Sequence, residues 1–258
     1  MKKAILALTL CALAGKGGAA VKTETVEYKH GNVVCEGVLV YDDAVKGKRP
    51  GIVVVHEWTG LGDYAKRRAE QLAQMGYVAF AIDMYGKGVR AKDHKEAAEL
   101  SGIYRNDRSL MRNRAKAGLD VLRKSSMVDG GRIAAIGYCF GGTTVLELAR
   151  SGEDLKGVAS FHGGLDTPNP QDAKNIKAKV IVFQGADDAY TLASVPKFEE
   201  EMKNAGADWQ LIKYSGAVHS FTVKEAGDDN SKGMAYNEKA DKRSWQSLKN
   251  FLDEIFKQ

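Results

Sequence analysis

The stretch Gly131–Arg150, "GRIAAIGYCFGGTTVLELAR", joins an apolar run to a run with helical spacing, with one cysteine set among glycines between them. The apolar part reads as a strand buried on both faces. The part after Cys139 reads as a helix. The turn between them is sharp enough that side chains two places either side of Cys139 would clash, which explains Gly137 and Gly141. Such a turn imposes strained backbone angles on residue 139 and lifts its side chain to the top of the sheet. The Phe140 N–H points into the same space at a helix N-terminus, where an anion is stabilised.

Working outward, further runs of the same kind appear. Upstream are two β-like stretches, "TETVEYKH" and "VVCEGVLVYD", then the buried strands "PGIVVVHEW" and "YVAFAIDMYG". "DYAKRRAEQLAQMG" between those last two has helical periodicity and a stop at Gly76. Two helical stretches follow, "KDHKEAAELSGIY" and "RSLMRNRAKAGLDVLRK". Downstream come the strands "LKGVASFHGG", "AKVIVFQGADD" and "DWQLIKYSG", the helix "SVPKFEEEMKNAG", and a closing amphipathic helix ending at the C-terminus. Strands alternating with helices predict an α/β fold, a mostly parallel sheet with helices on both faces. No repeat or low-complexity linker divides the chain, and the polar segment 166–177 reads as a surface loop.

Ligands of such sheets bind beyond the carboxyl ends of the strands. The residues at those ends are His56, Glu57 and Trp58; Tyr85 and Lys87; Cys139; His162; Asp187 and Asp188; and His219. A nucleophile, a carboxylate and a histidine thus occur in the order Cys, Asp, His. That order belongs to α/β-hydrolases, where the motif is usually G-x-S-x-G.

With "GYCFGG" around Cys139, "GADD" ending in Asp188, "GAVHSF" around His219 and "HEWTG" after an early strand, the chain resembles the dienelactone hydrolase family of α/β-hydrolases from about Val21 to the C-terminus. The resemblance implies a carboxylic ester hydrolase of the carboxymethylenebutenolidase type. Cys139 would be the nucleophile, His219 its base, and Asp188 the group orienting His219. Asp188 is preferred to Asp187 because it lies four residues after Gln184, which replaces the usual histidine of H-G-x-x-D. The N–H groups of Trp58 and Phe140 would form the oxyanion hole, and Glu57 would interact with the resting thiol and control its ionisation. Characterised members bind a substrate carboxylate with two arginines. Lys87 stands at one of these positions, with Tyr85 as a further candidate lining residue. At the other, Ser220–Val223 supplies no base. The expected substrate is a small ester or lactone, attacked to form an acyl-cysteine that water hydrolyses. No cofactor is expected. The alternatives are a ligand-binding protein on a hydrolase scaffold and a metal-dependent hydrolase using the histidines.

Composition constrains the rest. The first 20 residues, with two lysines, an apolar run over Ala4–Ala14 and then small residues, read as a secretory signal peptide, implying a secreted or periplasmic protein with a single domain over 21–258. The apolar run is too short to span a membrane. Removing it takes three lysines and no acid, leaving 35 basic against 33 acidic residues and a net charge of +2. That balance points to no nucleic-acid partner. Cys35 and Cys139 form neither a disulfide framework nor a Cys-x-x-Cys metal motif, and Cys35 reads as a buried hydrophobe. His56 and His162 read as lining or structural residues, and His30 and His94 as surface residues. No histidine pair has zinc-motif spacing, so no metal site is expected.

Overall fold

The structure, a computed structural model, describes residues 21–257. The expected signal segment 1–20 lies outside the described residues. Eight strands form one sheet: β1 (Val21–His30), β2 (Val33–Asp42), β3 (Arg49–Val55), β4 (Val78–Ile82), β5 (Val128–Tyr138), β6 (Gly157–Phe161), β7 (Lys179–Gly185) and β8 (Trp209–Tyr214). The spatial order is β1-β2-β4-β3-β5-β6-β7-β8. β1 and β2 form an antiparallel pair, β2 runs antiparallel to β4, and the others are parallel. β5 begins earlier than the apolar run suggests: Val128 pairs with Arg49 and the register then shifts before Gly51 meets Ile133.

Alternate strand residues feed two cores. Val53, Val55, Phe80 and Ala135 face one side, where α3 (Arg108–Lys124) contributes Met111 and Leu119, α4 (Phe140–Arg150) Val145 and Leu148, and α5 (Val195–Ala205) Phe198 and Met202. Ile52, Val54, Ala81 and Ile136 face the other, against Ala69 and Leu72 of α1 (Asp63–Gln74) and Leu248, Phe251 and Leu252 of α6 (Glu238–Phe256). Strands buried on both faces need apolar residues at every position, which is why the central runs do not alternate. α2 (His94–Asn106) and α3 begin where Asp93 and Asp107 accept hydrogen bonds from Glu96 N and Leu110 N, both at 2.8 Å. α1 ends before Gly76, whose φ of +91° stops the helix as the sequence suggests.

α4 is buried along its whole length, charged residues included. Arg150 in its last turn pairs with Glu147 (3.0 Å) and Glu201 of α5 (2.7 Å) and donates to Leu165 O. Arg112 of α3 adds a second contact to Glu147 (2.7 Å). Removing one member of such a cluster strands the others in low dielectric. Arg150→Met should therefore lower unfolding free energy by about 3–5 kcal/mol, as measured by urea titration. A loss below about 1 kcal/mol would show that water replaces the guanidinium.

Candidate active site

The Cys139 turn is built by backbone-to-backbone contact. A Cβ on Gly137 would lie 1.9 Å from Gly141 O, and one on Gly141 would lie 2.2 Å from Val55 O. Both distances are impossible, so the motif glycines let α4 start hard against β3 and β5. Cys139 is left with φ +53°, a left-handed conformation costly for a residue with a Cβ. Its N–H donates to Phe161 O, locking the turn to β6.

The thiol is buried with a narrow exposed face. His219 Nε2 lies 3.1 Å from Sγ, and His219 Nδ1 lies 2.9 Å from Asp188 Oδ2. Asp188 is fully buried and held by Tyr190 N, Thr191 Oγ1 and Gln184 Nε2, whereas Asp187 is exposed. Gln184 thus serves as a donor to the carboxylate. Burial pulls the His219 imidazole down, but the interaction with Cys139 and the hydrogen bond that Nδ1 donates to Asp188 outweigh it and raise it to about 10.

Trp58 follows β3, and Phe140 opens α4. Among the described residues neither main-chain N–H has a hydrogen-bond acceptor. Tyr85 lies under the cavity wall, with its hydroxyl donating to Trp58 O (2.8 Å) and its ring against Phe140 and His56. It therefore supports the Trp58 loop and does not line the cavity. His56 also braces this loop: it is buried, contacts Glu57 O, and accepts from Met84 N. Burial pulls its imidazole down to about 4.

Two further expectations change. Lys87 is not at the cavity. Its N–H bonds to Val34 O of β2, and its ammonium pairs with Glu27 and Glu36 on the outer strands. Glu57 makes no hydrogen bond to Sγ; His219 occupies that place, and Glu57 lines a separate cavity of about 320 Å³ with Arg67 and Glu225. Burial pushes its carboxyl up to about 7; the nearby His219 opposes this and the charge of Glu225 adds to it.

Sequence reading missed the cations that do line the main cavity. This cavity, about 480 Å³, is lined by Cys139 and His219 and by the apolar or aromatic side chains of Trp58, Tyr190 and Met234. Arg105, at the end of α2, and Arg108, at the start of α3, line its rim. Arg108 pairs with Asp166 at 2.9 Å, while Arg105 has no ion-pair partner among the described residues. His94 is exposed, as expected, but its ring packs on Trp58 at the rim. The alternation of apolar and charged residues along α2 gave no sign of which face meets the cavity. Cys35 is buried and free, 3.6 Å from Arg114. Among the described residues no cluster of three His, Cys, Asp or Glu side chains could hold a metal ion, and no helix is long and apolar enough to cross a membrane.

A mostly parallel eight-stranded α/β sheet with a tight strand-to-helix turn at Cys139 defines the α/β-hydrolase fold. Comparison narrows this. A family model described as the dienelactone hydrolase family matches residues 35–256. The chain belongs to the dienelactone hydrolase family, and on that kinship it is a carboxylic ester hydrolase. It is similar to the solved dienelactone hydrolase-like promiscuous phosphotriesterase P91 from metagenomic libraries, at 40% identity and a TM-score of 0.88, covering 92% of this chain and 99% of that one. An Aquifex aeolicus protein provisionally named carboxymethylenebutenolidase is 24% identical over 239 residues, covering 91% of this chain and 99% of that protein. An uncharacterized Caenorhabditis elegans protein is 33% identical over 150 residues, covering 57% of this chain and 94% of that one.

The Glu57 geometry has a measurable consequence. From its ordinary value of 4.5 up to about 7, the unfolded chain releases this proton while the folded chain keeps it. The residue's contribution to stability therefore falls as pH rises through that window. Denaturant titrations at several pH values should show wild type losing stability relative to Glu57→Gln between those limits, and parallel curves would contradict the burial argument.

Proposed function

We propose that the protein hydrolyses small esters or lactones through a covalent acyl-cysteine formed at Cys139, with His219 as acid and base and Asp188 orienting it. The observation that carries this reading is the unbroken line Asp188–His219–Cys139, at 2.9 and 3.1 Å, opening into the cavity. The thiolate attacks the carbonyl carbon, forming a C–S bond while the π pair moves to oxygen. The Phe140 and Trp58 N–H groups are positioned as donors to that oxyanion. Collapse expels the alkoxide, which takes the His219 proton. Water, deprotonated by His219, then attacks the acyl-cysteine and returns the thiolate. For Glu57 to control the thiol, it would have to turn from its own cavity toward Sγ, where His219 now sits.

Cys139→Ala should lower kcat/KM for p-nitrophenyl acetate by roughly 10³-fold or more. Wild type should show a burst of p-nitrophenol, inactivation by iodoacetamide and indifference to chelators. Full activity in Cys139→Ala would overturn the nucleophile, and loss to a chelator alone would favour metal-dependent hydrolysis. A phosphotriester belongs in the same substrate panel, because P91, with 40% identity, is named for that activity.

Asp166 neutralises Arg108 within the cavity lining, which leaves Arg105 as the cation that favours a substrate bearing a negative group away from its scissile carbonyl. Arg105, with no carboxylate partner, is the residue positioned to meet it. Arg105→Ala is expected to raise KM for an anionic ester about tenfold and to leave a neutral ester of the same length unaffected. Lys87→Ala should change neither. Steady-state kinetics on the matched esters check this, and equal effects on both would remove the charge argument.

A further inference from the structure

His162 is used by no step above, yet it is an expensive residue. It lies directly after β6, is fully buried, and has φ +39°, in the left-handed region. Only two other non-glycine residues among those described have positive φ, Cys139 and Ser220. All three lie at the site, and strain of this kind persists where the surroundings impose it.

The surroundings of His162 form one connected group. Its ring meets the His219 ring edge to face, with centroids 5.2 Å apart at 67°, and meets Phe221 at 5.2 Å and 81°. Tyr190 approaches His219 at 5.6 Å and 78°. The Nδ1–Asp188 bond alone leaves the imidazole free to rock about its long axis; flanking rings remove that freedom. His162 is itself fixed, because its Nε2 lies 2.8 Å from Thr222 Oγ1, which lies 2.6 Å from the Tyr64 hydroxyl. Arg68 of α1 donates to Tyr64 Oη (3.1 Å) and Thr222 O (3.3 Å) and pairs with Asp241 of α6. Thr222 stands three residues after His219, beyond the left-handed Ser220. One hydroxyl thus ties the segment carrying His219 both to the helix layer and to the ring packed against His219.

We infer that His162 and Thr222 are positioning residues that hold the His219 ring on the line between Asp188 and Cys139. The inference rests on the reading of Cys139 and His219 given above. A residue that merely filled space would need no hydroxyl partner, and a simple loop link would need no ring against His219.

The test compares Thr222→Val, Thr222→Ser, His162→Phe and His219→Ala, each in the full chain, with p-nitrophenyl acetate as substrate and thermal melting as the check on folding. Thr222→Val is isosteric and removes only the hydroxyl. It should lower kcat roughly 10- to 100-fold with KM within about twofold, and should slow iodoacetamide alkylation of Cys139 in parallel. Thr222→Ser should recover most of both. His162→Phe, which keeps a ring, should resemble Thr222→Val. The proposal is overturned if Thr222→Val keeps wild-type kcat, or if Thr222→Ser and Thr222→Val are equally impaired, which would mark a packing role. Should Thr222→Val fail to fold, His162→Phe and Thr222→Ser carry the same comparison. Retained activity in His219→Ala would instead overturn the underlying reading of His219, whereas its loss beside an unaffected Thr222→Val sinks the positioning role alone.

Discussion

The contact between the start of α4 and the strands beneath it sets the geometry of everything above the sheet. Gly141 approaches Val55 O, and Gly137 approaches Gly141 O, at distances no Cβ permits. That approach does three things together. It forces Cys139 into a left-handed conformation, aims the α4 N-terminus at the thiol, and puts the main chain after β3 beside it. The loop from His56 to Trp58 is therefore in register with Cys139 because two backbones touch, and His56 and Tyr85 then hold that loop from below.

Strain and charge are confined to the carboxyl ends of the strands. Beneath them the layers are mostly apolar, and the buried charges there are partnered, as in the Arg150 cluster and the Arg68–Asp241 pair. Above them stand a raised imidazole, a carboxyl near neutrality and three left-handed residues. Each is unfavourable alone and persists because a rigid sheet over-determines it. The pairing of His219 with Asp188 and Cys139 illustrates the balance. Burial disfavours the imidazolium, and the interactions with Cys139 and Asp188 reverse that preference.

The layered α/β architecture and the residues Cys139, Asp188 and His219 were legible because each depends on local pattern. Continuous apolar runs mark buried strands, and the glycines at 137 and 141 mark a turn whose crowding is local. Chain order did the rest, since residues following parallel strands must gather at one edge. Gln184 was legible as a departure, although its role as a donor to Asp188 needed the packed loop.

What the sequence determined by itself, then, is whatever follows from neighbours along the chain: strand, turn, helix, and which side chains emerge at strand ends. Tertiary structure decided where those side chains point. Lys87 follows a strand, but its main-chain bond to Val34 delivers it to Glu27 and Glu36, away from the cavity. Arg105 and Arg108 belong to helices with no local mark of function, and they reach the rim because α2 and α3 pack across that end of the sheet. Glu57 shares a loop with Trp58 yet faces a different cavity. The tie from Arg68 through Thr222 to His162 joins residues up to 154 positions apart. Such contacts are set by how layers and loops meet in three dimensions, and no spacing along the chain encodes them.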